Sequence, residues 1–581
     1  MRATPAAARP PRSLSPAPTG ALGPALALAL TLALPLCAAA PARAATYELR
    51  PGDDFKARLR ALVAGDEAIL HAGTYDTGGF FEVAWNGTAD RPIVVRAADG
   101  ARPVIRGVSS QNVLNVSGAH FELRGLEIVG GSHGLRLGNT ADALFEDLRI
   151  HGTADVGLSC NRAGVTCARL VIRGCEIYDT AGTGEGMYLG CNDGACTFRD
   201  SIVERNYLHD LRAGSQGDGI EVKTGSFGNV IRDNVIVRAK YPAITMYGYA
   251  GDGPPNVVER NLVWGTEDNG IQIVGQVIVR NNLVIGAGAS GIASKPSQGF
   301  RPSRAVVVHN TVLGAGDACL RMNEWGGESG NVVANNALYC QGGIAMRAST
   351  GTGSATLAAN VVVGSLMGVT GGTIAGRGPA MDFEGPGSAN LYPAAGSPLV
   401  GAASVAHAAA DDFDRTRRDD GAPDVGAYER TASGRAWAVA EAFKGLGEGP
   451  LPPADGGVPD AGPGDAGAED GGAADAGAED GGAGSDGDAG PDAGAGGDAG
   501  AGPDAAAGAD LGAGADLGAG TDTGSPPAAD GGGCGCAVPG AARARPRAAH
   551  DRSRRARDLG TPLALGVVAG VALVALRRKR R

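Results

Sequence analysis

Between residues 185 and 272 the chain brings together acids, a lysine, phenols and an amide at spacings that matter. Glu185 and Asp218 each stand directly before a glycine and a short alternating apolar stretch, Gly186-Met187-Tyr188-Leu189 and Gly219-Ile220-Glu221-Val222. Glu221 and Lys223 are two residues apart, so on a strand they share one face. Tyr188 and Gln272 occupy the place of Glu221 in neighbouring stretches, and Tyr247 occupies the place of Lys223 in the next one. This set suits β-elimination from a uronic acid sugar. That reaction needs the sugar carboxylate neutralised, a base for the C5 proton and an acid for the leaving oxygen. On that reading Glu185, Asp218 and Glu221 are ligands for Ca2+. Lys223 is the base and Tyr247 the acid, with Glu221 beside them in the catalytic group, and Tyr188, Gln272 and Arg321 bind substrate. Two plainer readings stand next to it. Asp218 and Glu221 have the chemistry of a paired-carboxylate hydrolase, and an exposed Glu–Lys pair also simply supports a sheet face. His133, His151, His209 and His309 are expected to be scattered surface residues.

The elements that must position these side chains are repeats. The alternating stretch recurs as Gly134-Leu135-Arg136-Leu137, Gly157-Leu158-Ser159-Cys160, Ala243-Ile244-Thr245-Met246, Gly270-Ile271-Gln272-Ile273 and onward to Gly343-Ile344-Ala345-Met346. A second marker recurs every 21 to 31 residues: Leu126, Leu148 and Cys175, then Asn206, Asn234, Asn261, Asn282, Asn310, Asn336 and Asn360. Period-two alternation describes strands with one buried face. One unit cannot bury that face alone, but stacked units can, with equivalent strands about 4.8 Å apart. Parallel connections of this kind are right-handed. The Asn is expected at a turn, bonding its neighbour's amide in the next coil and accepting the left-handed conformation itself. The stacking turns scattered residues into an outward column: Arg136, Ser159, Tyr188, Glu221, Thr245, Gln272, Ala293, Arg321 and Ala345.

With these repeats the chain resembles right-handed parallel β-helix proteins over roughly residues 47–430. The opening Leu49–Asp54 to Val95 resembles the capping coil of such proteins. Ser397–Ala402 and Asp419–Glu429 look like their closing segment. Asp218–Ser226 resembles the Lys-bearing strand of chondroitinase B-like and alginate lyases. Those enzymes carry an Arg one coil on, where Ile244–Tyr249 here carries tyrosines. The resemblance implies an all-β solenoid acting on polysaccharide, of lyase type if it is an enzyme. The scaffold also hosts non-catalytic glycan-binding and adhesion proteins.

Outside the repeats the composition changes sharply. Arg2, Arg9 and Arg12, the apolar run Ala21–Leu36 and the small-residue site Ala42-Arg43-Ala44 read as a signal peptide over 1–44. The β-helix domain is expected over 45–430. A disordered Asp/Ala/Gly/Pro linker follows over 431–533. Residues 534–581 hold Cys534, Cys536, an apolar run Leu559–Leu576 long enough to span a bilayer, and a basic end. That order is similar to the MYXO-CTERM sorting tail of myxobacterial surface proteins. It implies a sorting protease acting near Cys534 or Cys536, and a cell-surface protein held to the membrane by its tail. The net charge of -11 comes largely from the linker, and no basic face with aromatics appears, which argues against nucleic acid. Export permits disulfides among the seven domain cysteines, with Cys160, Cys167, Cys191 and Cys196 best placed to pair and one left over.

Overall fold

The computed structural model describes residues 44–251 and 253–445. The leader, the linker beyond 445, Cys534, Cys536 and the apolar run Leu559–Leu576 lie outside the described residues. Among the described residues no helix is long and apolar enough to cross a membrane.

Short strands rich in Val and Ile stack in register, all parallel, into three faces of one coil. The first face runs through Leu158–Cys160, Met187–Leu189, Ile220–Val222, Ile244–Met246, Ile271–Ile273 and Ile292–Ser294. The second runs through Ile202–Glu204, Val230–Arg232 and Asn256–Glu259, and the third through Tyr207–Leu211, Val235–Ala239 and Leu262–Trp264. Ile220, Ile244, Ile231, Val258, Ile236 and Val263 point inward and are wholly buried. Each such side chain contributes roughly 1.5–3 kcal/mol, and the stack repeats this in every coil. The architecture is a parallel β-helix, as the repeats require.

The Asn ladder is present. Asn206 donates to Asn234 at 2.9 Å, Asn234 to Asn261 and Asn261 to Asn282 at 3.0 Å each. Each side-chain oxygen also accepts the backbone N–H of the preceding coil's Asn. The left-handed residue, however, is the one before the Asn: Arg205, Asp233, Arg260, Asn281 and His309 all have φ between 53° and 56°. The Asn itself turns inward, because corner backbone groups there lack a strand partner and must be satisfied within the dry interior. A shorter ladder unseen in the sequence, Asn229 to Asn256 at 3.1 Å, lines another corner.

A helix over Phe55–Arg60 closes the N-terminal end, with Phe55 and Leu59 buried and Trp85 Nε1 donating to the Leu59 carbonyl at 2.8 Å. The expected closing segment packs back along the outside of the third face. Leu391, Leu399, Phe413, Val425 and Tyr428 cover Val235, Leu262, Leu283 and Tyr339. Packed chain continues past 430: buried Lys444 donates to Asp233 at 2.9 Å. Cys160–Cys167, Cys191–Cys196 and Cys319–Cys340 are bonded, and Cys175 is the buried free thiol.

Candidate functional site

The first face carries the candidate residues. Its outward column pairs Arg136 with Ser159, Ser159 with Tyr188, Tyr188 with Glu221, Glu221 with Thr245 and Thr245 with Gln272. The column continues to Ala293, Arg321 and then Arg347, not Ala345. The pairing sets Ala345, not Gly343, in the place of the repeat's small residue, so the column moves on by two residues there.

Glu185 and Asp218 come in from the edge. Each is followed by a glycine whose neighbours leave no room for a side chain. A Cβ on Gly186 would lie 2.8 Å from the Gly219 carbonyl oxygen, and one on Gly219 would lie 2.3 Å from that of Ala243. The close approach stacks the residues before each glycine directly over one another, as the bond from Gly186 N–H to the Asp218 carbonyl at 2.9 Å records. One ligand oxygen from each of Glu185, Asp218 and Glu221 falls within 4.8 Å of the others. Their exposures are only 0%, 5% and 3%, and that of Lys223 is 3%. The face expected to be open is therefore roofed. Thr224 donates to Gln298, and Gln298 donates to Asn192 at 3.1 Å, drawing three loops together at the strand ends.

Lys223 Nζ donates to Glu221 Oε1. It also sits 4.3 Å from the Tyr188 ring centroid and 4.9 Å from that of Tyr247, so two phenol rings sandwich the ammonium. Thr245 donates to Asp218 Oδ1 at 3.1 Å. Burial, then the charges of Glu221 and Glu185, raise the Asp218 carboxyl well above its ordinary value, against the pull of Lys223. Burial likewise pushes Glu185 up to about 7, opposed by its hydrogen bond with Thr183 and reinforced by Glu221. Glu185 Oε1 is shielded from solvent and has no hydrogen-bond partner among the described residues. Three carboxylates in a dry site with one lysine between them leave excess negative charge, and hard oxygen donors of this kind suit Ca2+. The residues present therefore fit a divalent cation.

Not every expected residue joins the cluster. Gln272 accepts a hydrogen bond from Asn269 at 3.2 Å at the edge of the site. Arg321 lies four strands from Glu221, roughly 19 Å at 4.8 Å per coil, and bonds Asn323 at 3.2 Å. A cavity of about 390 Å³ lies elsewhere, lined by Glu146, Asp147, Arg173, Gly174, Arg205 and Phe443. The histidines are not all surface residues: His133 and His309 are buried. Burial holds the His133 imidazole down at about 4 against the pull of Asp155. His151 and His209 stack on Tyr178 at 4.7 and 4.8 Å.

Sequence reasoning also missed Asp155 and Thr183. Asp155 Oδ1 accepts from Thr183 N at 2.9 Å and from its hydroxyl at 2.6 Å, and that hydroxyl lies 2.5 Å from Glu185 Oε2. No repeat position marks them: Asp155 stands two residues before the glycine of its stretch and Thr183 three residues before that of the next.

The model of the right handed beta helix region family matches residues 104–236 and 208–338. The coil is accordingly a right-handed parallel β-helix. Among solved structures the chain is similar to an alginate lyase from Paenibacillus sp. str. FPU-7, with 19% identity over 57% of this chain and 99% of that one and a TM-score of 0.39. It is similar to pectate lyase Pel9A, with 17% identity over 67% and 96% and a TM-score of 0.41. It is also similar to the A-module of the Azotobacter vinelandii mannuronan C-5 epimerase AlgE6, with 14% identity over 56% and 95% and a TM-score of 0.41. No curated protein matches the chain.

Proposed function

We propose that this protein acts on acidic polysaccharide at the cell surface, cleaving uronate linkages by β-elimination at the Glu185–Asp218–Glu221–Lys223 cluster. The observation that carries the reading is the convergence of three buried carboxylates, one with an unpartnered oxygen, beside a lysine held between two phenols. Glu185, Asp218 and Glu221 would hold calcium, which supplies the positive charge that neutralises the sugar carboxylate and so acidifies its C5–H.

The chain's own groups do the rest. Lys223 acts as base in its neutral form, its proton having gone to solvent, while Glu221 Oε1 holds Nζ in place. Its Nζ then takes the C5 proton, the electron pair forms the C4–C5 double bond, and the C4–O bond breaks. The Tyr247 phenol gives the leaving oxygen its proton. Tyr188 and Gln272 flank this centre in the outward column, one coil before Glu221 and two coils after it, where they hold the sugars. Arg321 lies further along the same column, within reach of a longer polymer.

A second reading is a non-catalytic glycan-binding or adhesion protein. The near-complete burial of Glu185, Asp218 and Lys223 favours it, because a sugar must displace the roofing loops to reach them. The two readings separate when purified protein is incubated with uronate polymers and calcium and the absorbance of new unsaturated ends is followed. The lyase reading expects activity that falls at least a hundredfold in Lys223→Ala. No product from any polymer, or equal turnover by the variant, would leave the binding reading in its place.

Export and anchoring complete the proposal. The leader over 1–44 would export the chain, a sorting protease would act near Cys534 or Cys536, and the tail would hold the protein at the membrane. The three disulfides support an oxidising compartment.

A further inference from the structure

We infer that His133, Asp155 and Thr183 form a positioning chain that fixes Glu185 for cation binding. The inference rests on the cation site proposed above and names residues that no part of that reading requires.

The chain of contacts crosses three coils. Ser159 Oγ lies 3.0 Å from His133 Nδ1, and His133 Nε2 lies 3.5 Å from Asp155 Oδ2. The other Asp155 oxygen accepts both the backbone N–H and the hydroxyl of Thr183, at 2.9 and 2.6 Å. The Thr183 hydroxyl also meets Glu185 Oε2 at 2.5 Å; its single proton serves one carboxylate at a time, and the backbone N–H keeps Thr183 on Asp155 when the hydroxyl donates to Glu185. With Oε2 tied in this way, Oε1 is the oxygen left for a ligand, and it is the one that is buried without a partner. The carboxylate plane of Glu185 is thus set from outside the cluster, through Thr183.

Burial along the chain of contacts separates positioning from support of the fold. His133 and Ser159 are buried and belong to the coil's packing, but Thr183 is exposed and Asp155 is about a third exposed at 32%. Hydrogen bonds between groups so open to water contribute little to folding. Their consistent geometry is explained by what they orient. Groups behind metal-ligating side chains set the orientation of the ligand, and their loss typically weakens metal binding ten- to a hundredfold.

The test is calcium titration by calorimetry on the full chain, with thermal melts of the same samples in chelator. Thr183→Val and Asp155→Asn should weaken calcium binding ten- to a hundredfold, while their melts in chelator match the parent. Thr183→Ser, which keeps the hydroxyl, should restore binding to within a few-fold of the parent. Parent-like affinity in Thr183→Val would overturn the inference and leave the cation site standing. So would a chelator melt lowered as much as the melt in calcium. A parent protein that binds no calcium would overturn both the site and its positioning chain, and that outcome shows itself without any variant.

Discussion

Replacing Glu185 by Gln should stabilise the metal-free protein and remove its response to calcium. Glu185 titrates at about 7 in the folded chain against 4.5 as its ordinary value, chiefly because it is buried and secondarily because Glu221 faces it. A folded-state value above the unfolded one means that the folded chain binds more protons between the two. Stability is then full below about 4.5 and is lost as the pH rises to about 7. At about 1.4 kcal/mol per pH unit, the penalty at pH 8 is about 3 kcal/mol. Glutamine stays neutral, keeps the shape of the side chain and still offers an oxygen or an amide to Thr183. It also relieves Asp218, whose carboxyl is raised in part by Glu185.

The assay is urea unfolding at pH 4.5 and pH 8, in chelator and in calcium. In chelator the variant should exceed the parent by about 3 kcal/mol at pH 8 and by almost nothing at pH 4.5. Calcium at a hundred times its dissociation constant should stabilise the parent by about 2.7 kcal/mol and the variant by much less, so the order of stability narrows or inverts. A variant no more stable than the parent at pH 8, or one that differs equally at both pH values, would refute the electrostatic account of the cluster.

Two further outcomes test the scaffold and the address. Asn261→Ala removes four bonds of the interior ladder and deprives the Asn234 backbone N–H of the oxygen it donates to at 3.0 Å. The expected cost is about 2–4 kcal/mol in urea unfolding, and a loss below about 1 kcal/mol would show that the corner backbone finds other partners. Protease added to intact cells should release the disulfide-bonded helix domain into the medium. Recovery of that domain only from the cytosol, with Cys160 and Cys167 as thiols, would dispose of the exported reading.

The coil was legible because its signals are local and repeat. The glycines before Met187 and Ile220, the alternation after them and the Asn at each corner state the register of neighbouring strands one coil at a time. That register brought Tyr188, Glu221, Thr245 and Gln272 into a line, as the structure confirms. It failed at Ala345, which itself fills the small-residue place that the sequence suggested for Gly343, so that Arg347 stands beside Arg321. It also misjudged His133, since a residue in the edge column gives no local sign of the loops that will cover it.

The sequence by itself determined the stacking, because period-two alternation and a fixed corner residue leave the apolar faces no other way to escape water. It also determined which acids share the edge column with the lysine strand. Only the tertiary structure decided how much water that edge keeps. The loops that close over it through Gln298 come from residues more than seventy positions away from Thr224. The exposed link from Asp155 through Thr183 to Glu185 likewise depends on side chains meeting across coils of unequal length. Burial sets whether three carboxylates repel, hold protons or wait for a cation, and burial is a property of the assembled coil rather than of any stretch of chain.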